Sequence, residues 1–282
     1  MVCLAKKNKM NTLLVGASGF LGRNVYQQLK KHYNFVILLK THERGFGSSP
    51  QYIYDNLIEL KNEKIEIIIN CAVSYGGGKI SNLIQSNILL PTQLLDMFEK
   101  TLKLYVTFDS FYTKFEKTPL LNYTKSKNQI REWYKCYSHL KIINLKLEHI
   151  YGKYDSNKKF IPWLIDSMLK NKTIKLSECT QKRDFIHVDE IIKLLDEIIQ
   201  KRDEFSFGRT EMEVGTGKSI EIKKLVLTLL NITESNSKLI FGGENFENEI
   251  QDSYSDCKTI PDFIKWKPEI NLKLGLNKTL YK

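Results

Sequence analysis

Between a short apolar run, Thr12–Val15, and an amphipathic segment, Phe20–Lys31, the chain reads Gly16-Ala-Ser-Gly19-Phe-Leu-Gly22. A strand, a glycine-rich turn and a helix in that order leave few folds open. Gly16 lets the backbone turn sharply out of the strand, and Gly19 removes a Cβ that would block a pyrophosphate. Gly22 lets the helix pack close to the sheet. The helix N-terminus then offers unpaired N–H groups to the anion. Gly16, Ser18, Gly19, Phe20, Leu21 and Gly22 are therefore expected to hold a dinucleotide.

The segments that follow keep the same rhythm. Leu21, Val25 and Leu29 fall at helical spacing, Phe35–Leu39 and Ile65–Asn70 are apolar runs, and Asn56–Asn62 reads as a short helix. Ser86–Lys100 predicts a helix with Ile88, Leu89, Leu94, Leu95 and Phe98 on its apolar side. Leu104–Phe108 and Lys141–Leu147 read as strands, with a helix over Tyr123–Tyr137 between them. Strands that are apolar throughout are buried on both faces, as in a parallel sheet covered by helices. The expected fold class is α/β: a Rossmann-like doubly wound parallel sheet over residues 1–150. Past Tyr151 helical segments (Phe160–Lys170, Val188–Lys201) mix with short pieces at Thr173–Leu176 and Glu211–Val214. Residues 151–282 read as a smaller C-terminal α/β substrate lobe, with some chain crossing between the lobes.

Composition removes several alternatives. With 282 residues, 42% hydrophobic and 27% charged, the chain can bury a sizeable core. No stretch approaches the ~18–20 apolar residues of a membrane span. Lys6, Lys7 and Lys9 precede an apolar run that Gly16, Ser18 and Gly19 break at once, a poor signal-peptide core, and Met10 would serve as a start. The five cysteines, Cys3, Cys71, Cys136, Cys179 and Cys257, have no paired spacing. Neither a disulfide framework nor a metal site is expected, and a reducing cytoplasm is. The net charge of +11 comes from scattered lysines without a basic cluster. That pattern predicts a solvated surface favouring anionic small substrates rather than nucleic acid.

Cofactor choice rests on the end of the second strand, where an NAD site usually carries Asp or Glu for the ribose 2′-hydroxyl. Here Lys40, Thr41 and Arg44 suit a 2′-phosphate, so NADP is favoured, while Glu43 keeps NAD open. Asp55 is a candidate for the adenine side of the pocket. Tyr123 and Lys127 form a Y-x-x-x-K pair. That spacing recurs at other tyrosines, but only Tyr123 opens a helix after the strand ending near Phe108. Four residues apart they share a helix face, so the ammonium is expected to favour phenolate and lower the phenol's pKa. Such a tyrosine exchanges protons with an alcohol or carbonyl oxygen near neutrality.

The glycine loop, Tyr123/Lys127 and Arg183-Asp-Phe-Ile-His-Val-Asp189 together resemble the extended short-chain dehydrogenase/reductases, the nucleotide-sugar epimerase/dehydratase superfamily. Asn70-Cys-Ala72, Asn87 with Pro91, Tyr151-Gly152, Val214-Gly-Thr-Gly217 and Ile264-Lys-Trp-Lys-Pro268 also fit. The narrower resemblance is to reductases of CDP-linked 4-keto-dideoxyhexoses, the abequose and paratose synthases. It rests on Ala72-Val-Ser-Tyr-Gly76, Phe108-Asp-Ser-Phe111, Leu147-Glu-His-Ile-Tyr-Gly152, Phe160-Ile-Pro-Trp163 and Gln181-Lys-Arg-Asp-Phe-Ile186. The resemblance implies an NAD(P)H-dependent 4-ketoreductase of deoxysugar and surface-polysaccharide biosynthesis. It implies a nucleotide-diphosphate sugar as substrate, Arg183 on the diphosphate, and His149, Tyr75 and Phe160 toward the substrate. Ala72 and Asn87 would stand on the cofactor side. It also implies a homodimer through helices Ser86–Lys100 and Tyr123–Tyr137.

Two departures qualify what is carried over. The superfamily places Ser or Thr where this chain has Phe108, with hydroxyls displaced to Thr107 and Ser110. Alternation along an extended segment puts Ser110 on the face of Phe108 and Thr107 on the other, so Ser110 is preferred as the surrogate. The dehydratase branch carries an Asp-Glu pair here, whereas this chain has Asp109 followed by Ser110, which disfavours dehydration. A 4-epimerase retaining NAD, and a non-catalytic dinucleotide sensor, are the alternative readings.

Overall fold

Seven strands form one parallel sheet, whose central members are apolar on both of their sides. In the computed structural model, which describes residues 9–41, 43–243 and 248–280, they are β1 (Asn11–Val15), β2 (Asn34–Leu39), β3 (Gln51–Ile53), β4 (Ile67–Asn70), β5 (Leu104–Ser110), β6 (Lys141–Leu147) and β7 (Gly208–Val214). Cys3, Lys6 and Lys7 lie outside the described residues. The order across the sheet is β7-β6-β5-β4-β1-β2-β3. Val15 stands level with Leu38 on one side and Asn70 on the other. Chain direction reverses its progress at β1, and a doubly wound sheet opens its crevice there, beyond the strands' C-terminal ends.

Successive residues of each strand bury on opposite faces. Leu14, Ile37, Ile69, Val106 and Leu145 pack with α1 (Phe20–Leu29) and with Ile191, Leu195 and Ile198. On the other face Leu13, Val36, Ile68, Tyr105 and Ile142 meet Leu94, Leu95, Phe98 and Ile130. Each such side chain contributes about 1.5–3 kcal/mol of burial. The second layer is a long helix, α2, made of Ile80–Ile84, a π-turn at Gln85–Leu89 and Leu90–Phe98, together with α3 (Leu121–Trp133). The helix thus starts six residues earlier than the sequence pattern predicts. Its Leu89, expected inside, is 47% exposed, because the wider turn rotates the side chains that follow it.

Beyond β6 the chain builds a third core from Tyr151, Leu164, Met168, Leu176, Leu225, Leu229 and Leu276. It uses α4 (Phe160–Leu169), α6 (Ile222–Ile232), α7 (Leu272–Leu280) and short strand pairs, among them His149–Tyr151 alongside Phe185–His187. Two pieces return to the large sheet. The segment expected at Glu211–Val214 is the end of β7, which pairs with β6 along its whole length. Helix α5 (Val188–Gln200) packs on α1, where Gln28 donates to Asp189 at 3.0 Å. No helix among the described residues is long and apolar enough to cross a membrane.

Candidate active site

Loops after β1, β4, β5 and β6 and the short strands of the third core surround a cleft of about 1440 Å³. Its first end is made of backbone. Gly16 adopts φ +74°, and a Cβ there would lie 2.8 Å from the Ala72 backbone. Gly19 precedes α1 with no capping side chain and no acidic residue in the first turn, so the N–H groups of that turn remain available to an anion. Gly16, Ser18, Gly19, Phe20 and Leu21 line the cleft, and Gly22 is buried behind them. Gly22 serves the loop rather than the sheet: a Cβ there would come 2.3 Å from the Gly16 carbonyl oxygen. The cradle fits a dinucleotide phosphate, since its N–H groups are open and a Cβ at Gly16 or Gly22 would push apart the loop that presents them.

The neighbouring expectations divide. Lys40 and Ala72 line the cleft. Arg44 and Asp55 do not; both are exposed, and Tyr54 takes the wall position because the turn following β3 sends it inward and Asp55 outward. Asn87 is buried within the π-turn and works as a clamp. Its Nδ2 donates to the Ser74 carbonyl at 2.8 Å and to Ser126 Oγ at 2.9 Å, while its Oδ1 accepts from Ser74 N at 2.8 Å. It fixes the loop after β4 against α3 and reaches the cleft only through that loop.

At the centre, Tyr123 and Lys127 lie one turn apart on α3, both buried. The Lys127 Nζ donates to the Phe108 carbonyl at 2.7 Å and lies 5.9 Å from the centre of the Tyr123 ring. The expected lowering of the phenol's pKa is not found. Burial dominates and raises it, with Tyr75 and Asp109 pushing the same way and a Ser110 hydrogen bond opposing them. Burial also lowers the Lys127 ammonium, against the charge of Asp109. Desolvation outweighs the ammonium's field because Lys127 is directed at a carbonyl rather than at the phenol. Tyr123 is therefore held neutral in this setting.

Ser110 ends β5 beside Tyr123 and lines the cleft with Phe108. Thr107 is buried outside the cleft, where it hydrogen-bonds the Tyr105 and Tyr134 phenols. Asp109 is enclosed. Its oxygens accept from Ser110 N at 2.7 Å, Thr113 Oγ1 at 3.2 Å and Asn144 Nδ2 at 3.4 Å, and Arg131 Nε stands 3.6 Å away.

The far end is made of side chains. Arg183, 6% exposed, lines the cleft, with Nη1 donating to the Lys182 carbonyl at 2.7 Å and Nη2 to Glu249 at 3.4 Å. His149 stacks on Phe111 at 4.2 Å and meets Phe185 at 5.7 Å. Its imidazole is pushed down to about 3, first by burial, then by the charges of Arg183 and Lys159, so it stays neutral. Tyr75 packs on the Tyr123 ring at 5.0 Å, and Phe160 packs on Trp163 at 6.1 Å.

The family model described as NAD dependent epimerase/dehydratase family matches residues 12–215. The chain belongs to that family. Among curated relatives, the CDP-abequose synthase of Salmonella muenchen is 33% identical over 95% of this chain and 96% of its own length. That of Salmonella typhimurium is 30% identical over 96% and 98%. Among solved structures, UDP-glucuronic acid 4-epimerase from Bacillus cereus, in complex with UDP-glucuronic acid and NAD, superposes with a TM-score of 0.83 at 20% identity, covering 96% and 98% of the two chains. dTDP-glucose 4,6-dehydratase from Bacillus anthracis gives 0.77 at 18%, covering 96% of each chain. As a member of the epimerase/dehydratase family this chain is an NAD(P)-dependent enzyme of the short-chain dehydrogenase/reductase type.

In this epimerase/dehydratase two buried carboxylates escape the sequence reading. Asp184, fully buried, accepts from Thr216 N at 2.9 Å, Thr216 Oγ1 at 2.6 Å, Gly217 N at 2.9 Å and Ser255 Oγ at 3.1 Å. A Cβ at Gly215 would come 2.3 Å from its Oδ2. The Asp of the Arg-Asp-Phe motif thus ties the Gly215–Gly217 turn and the Ser253–Ser255 segment behind Arg183. Glu148 does the same one strand away. Lys114 Nζ lies 2.6 Å from its Oε1, and Ser253 Oγ donates to it at 2.8 Å. The one available signal was a charge placed directly after the buried strand β6.

Proposed function

We propose that this enzyme is an NADPH-dependent reductase of a 4-keto-deoxysugar carried on a nucleoside diphosphate, with the CDP-linked sugar favoured. The cytidine assignment follows its curated relatives, named CDP-abequose synthases. The observation that carries the reading is the Tyr123 phenol hydrogen-bonded with the Ser110 hydroxyl on the cleft wall. A ketone being reduced needs a proton at its oxygen, and a phenol, protonated at neutral pH, carries one. Ser110 stands where a dehydratase needs its base, and Asp109, which also lines the cleft, is tied to Thr113, Asn144 and Arg131.

When bound, the reduced nicotinamide supplies a hydride for C4. Gly16, Ser18, Gly19 and the first turn of α1 would hold the pyrophosphate, and Lys127 the nicotinamide ribose. Lys40 supports a 2′-phosphate, and among the described residues no carboxylate near the end of β2 lines the cleft. Tyr123 gives its proton to the C4 oxygen while Ser110 donates a hydrogen bond to it. Arg183 meets the diphosphate with a planar guanidinium that matches phosphate oxygens. Presented with CDP-, dTDP-, GDP- and UDP-linked 4-keto sugars, the enzyme should oxidise NADPH with the CDP compound and prefer NADPH to NADH. Tyr123→Phe should lower kcat about 10²–10⁴-fold with dinucleotide affinity kept. Retained NAD with no net oxidation of NADPH would instead make it a 4-epimerase.

The same reading extends to a homodimer. Ile80, Ile84 and Leu89 on α2, and Leu121 and Trp133 on α3, are all more than 40% exposed, an apolar set on the two helices expected to pair. Light scattering should return twice the 32.9 kDa chain mass, and a mass of one chain would remove the dimer.

A further inference from the structure

Ser110 ends β5 and also begins the short helical turn Phe111–Lys114, where its Oγ accepts a hydrogen bond from Tyr112 N at 3.4 Å. The hydroxyl proposed to steady the ketone oxygen is therefore the cap of a single turn. A turn of four residues closes too few backbone bonds to hold its own shape, so its position depends on what its ends grip. Asp109 grips the near end, through Ser110 N at 2.7 Å and Thr113 Oγ1 at 3.2 Å. Thr113 Oγ1 also donates to the Ser110 carbonyl at 2.8 Å. The far end is Lys114.

Three acceptors meet the Lys114 ammonium, each from a different part of the chain. Its Nζ lies 2.6 Å from Glu148 Oε1 and 2.9 Å from Glu213 Oε2, and it donates to the Tyr254 carbonyl at 2.7 Å. An ammonium has three N–H bonds, and three partners use them all. Glu148 follows β6, Glu213 belongs to β7, and Tyr254 is next to Ser253, which donates to Glu148 at 2.8 Å. The Lys114 side chain is 17% exposed and that of Glu148 1%, so salt and water screen the pair little. The same turn carries Phe111, whose ring stacks at 4.2 Å on His149, the residue after Glu148. Lys114 itself does not line the cleft, so it can act on the reaction only through the turn. We infer that Lys114 is a positioning residue for the reduction: by clamping the turn to Glu148, Glu213 and the Tyr254 carbonyl, it sets where the Ser110 hydroxyl stands against the Tyr123 phenol. This rests on the reductase reading above.

Steady-state kinetics of the full chain with NADPH and a CDP-linked 4-keto sugar, referred to the concentration of NADPH-binding sites, test it. Lys114→Met is made together with Glu148→Gln, so that the cation is lost without leaving a buried carboxylate unpaired. The pair should lower kcat up to about 10²-fold, the scale of a displaced reacting group, with the KM for NADPH unchanged. In a Ser110→Ala background the hydroxyl to be placed is already gone, and the same pair should cost less than about threefold more. A general loss of rigidity would instead cost the same factor in both backgrounds. That equal factor, or an unchanged kcat, would overturn the inference while leaving the reductase reading in place. Failure of the unaltered enzyme to oxidise NADPH with any CDP-, dTDP-, GDP- or UDP-linked 4-keto sugar would overturn both.

Discussion

At the end of the cleft proposed for the dinucleotide the wall is main chain, drawn tight by three glycines within seven residues, whereas at the end proposed for the substrate it is side chain, gathered from residues more than a hundred positions apart. Gly22 approaches Gly16 so closely that a methyl group would lie 2.3 Å from the carbonyl oxygen. Glu148 and Ser253, in contrast, are 105 residues apart and meet at 2.8 Å. A backbone cradle holds any phosphate that its N–H groups can reach, which suits a cofactor common to many enzymes. A side-chain cradle can be changed one residue at a time, which suits a substrate that differs among relatives. The two ends should therefore fail separately when each is damaged.

The largest effect is expected at Asp184. Its oxygens face N–H and O–H donors from Thr216, Gly217 and Ser255, and Asp184→Asn would turn an amide donor toward some of them. Leaving buried donors unpaired should cost about 3 kcal/mol or more. At this chain length that lowers Tm by roughly 6–10 °C. CDP affinity should fall with it, because Arg183 is the adjacent residue, while dinucleotide affinity holds. Matched losses of both ligands would mean that the two ends are one cooperative unit.

Gly22→Ala is the converse, with a smaller cost in stability. Overpacking of this kind costs about 1–3 kcal/mol. The atom that must give way is the Gly16 carbonyl, so the loop should open and NADPH affinity should fall tenfold or more. CDP affinity measured without dinucleotide should stay the same. A fall in CDP affinity alone would reverse the comparison.

This difference in construction also explains what could be read from the chain. Glycine spacing is a local property, so the phosphate loop, the apolar strands and the doubly wound order were legible without the structure. That Tyr123 would face the cleft was legible by its place after β5, and that Ser110 would line it by alternation from Phe108. Local sequence could not show desolvation. The Tyr123–Lys127 pairing predicted a lowered phenol pKa, and only the burial of both groups reveals the raised one. Asp55 turned outward for a related reason, since the turn after β3 decides which side chain faces inward, and Arg44 is exposed in the loop before β3; neither orientation was encoded by residue type. The carboxylate clasps of Asp184 and Glu148 were hidden because their partners lie far along the chain.

The smallest effect tests whether the side-chain end is as dry as its geometry implies. His149 in the folded chain is depressed to about 3, chiefly by burial, then by Arg183 and Lys159, against an ordinary value of 6.5. Below pH 6.5 the unfolded chain takes up a proton there that the folded chain refuses. Its contribution to stability is therefore complete above pH 6.5 and declines as pH falls toward 3. His149→Gln removes that decline, so the difference in stability between unaltered enzyme and variant should shift in the variant's favour on acidification from pH 7 to 5. Parallel stability curves would show that His149 titrates as freely folded as unfolded. The substrate end would then be open to water, and its cations would be too well screened to differ from those of the surface.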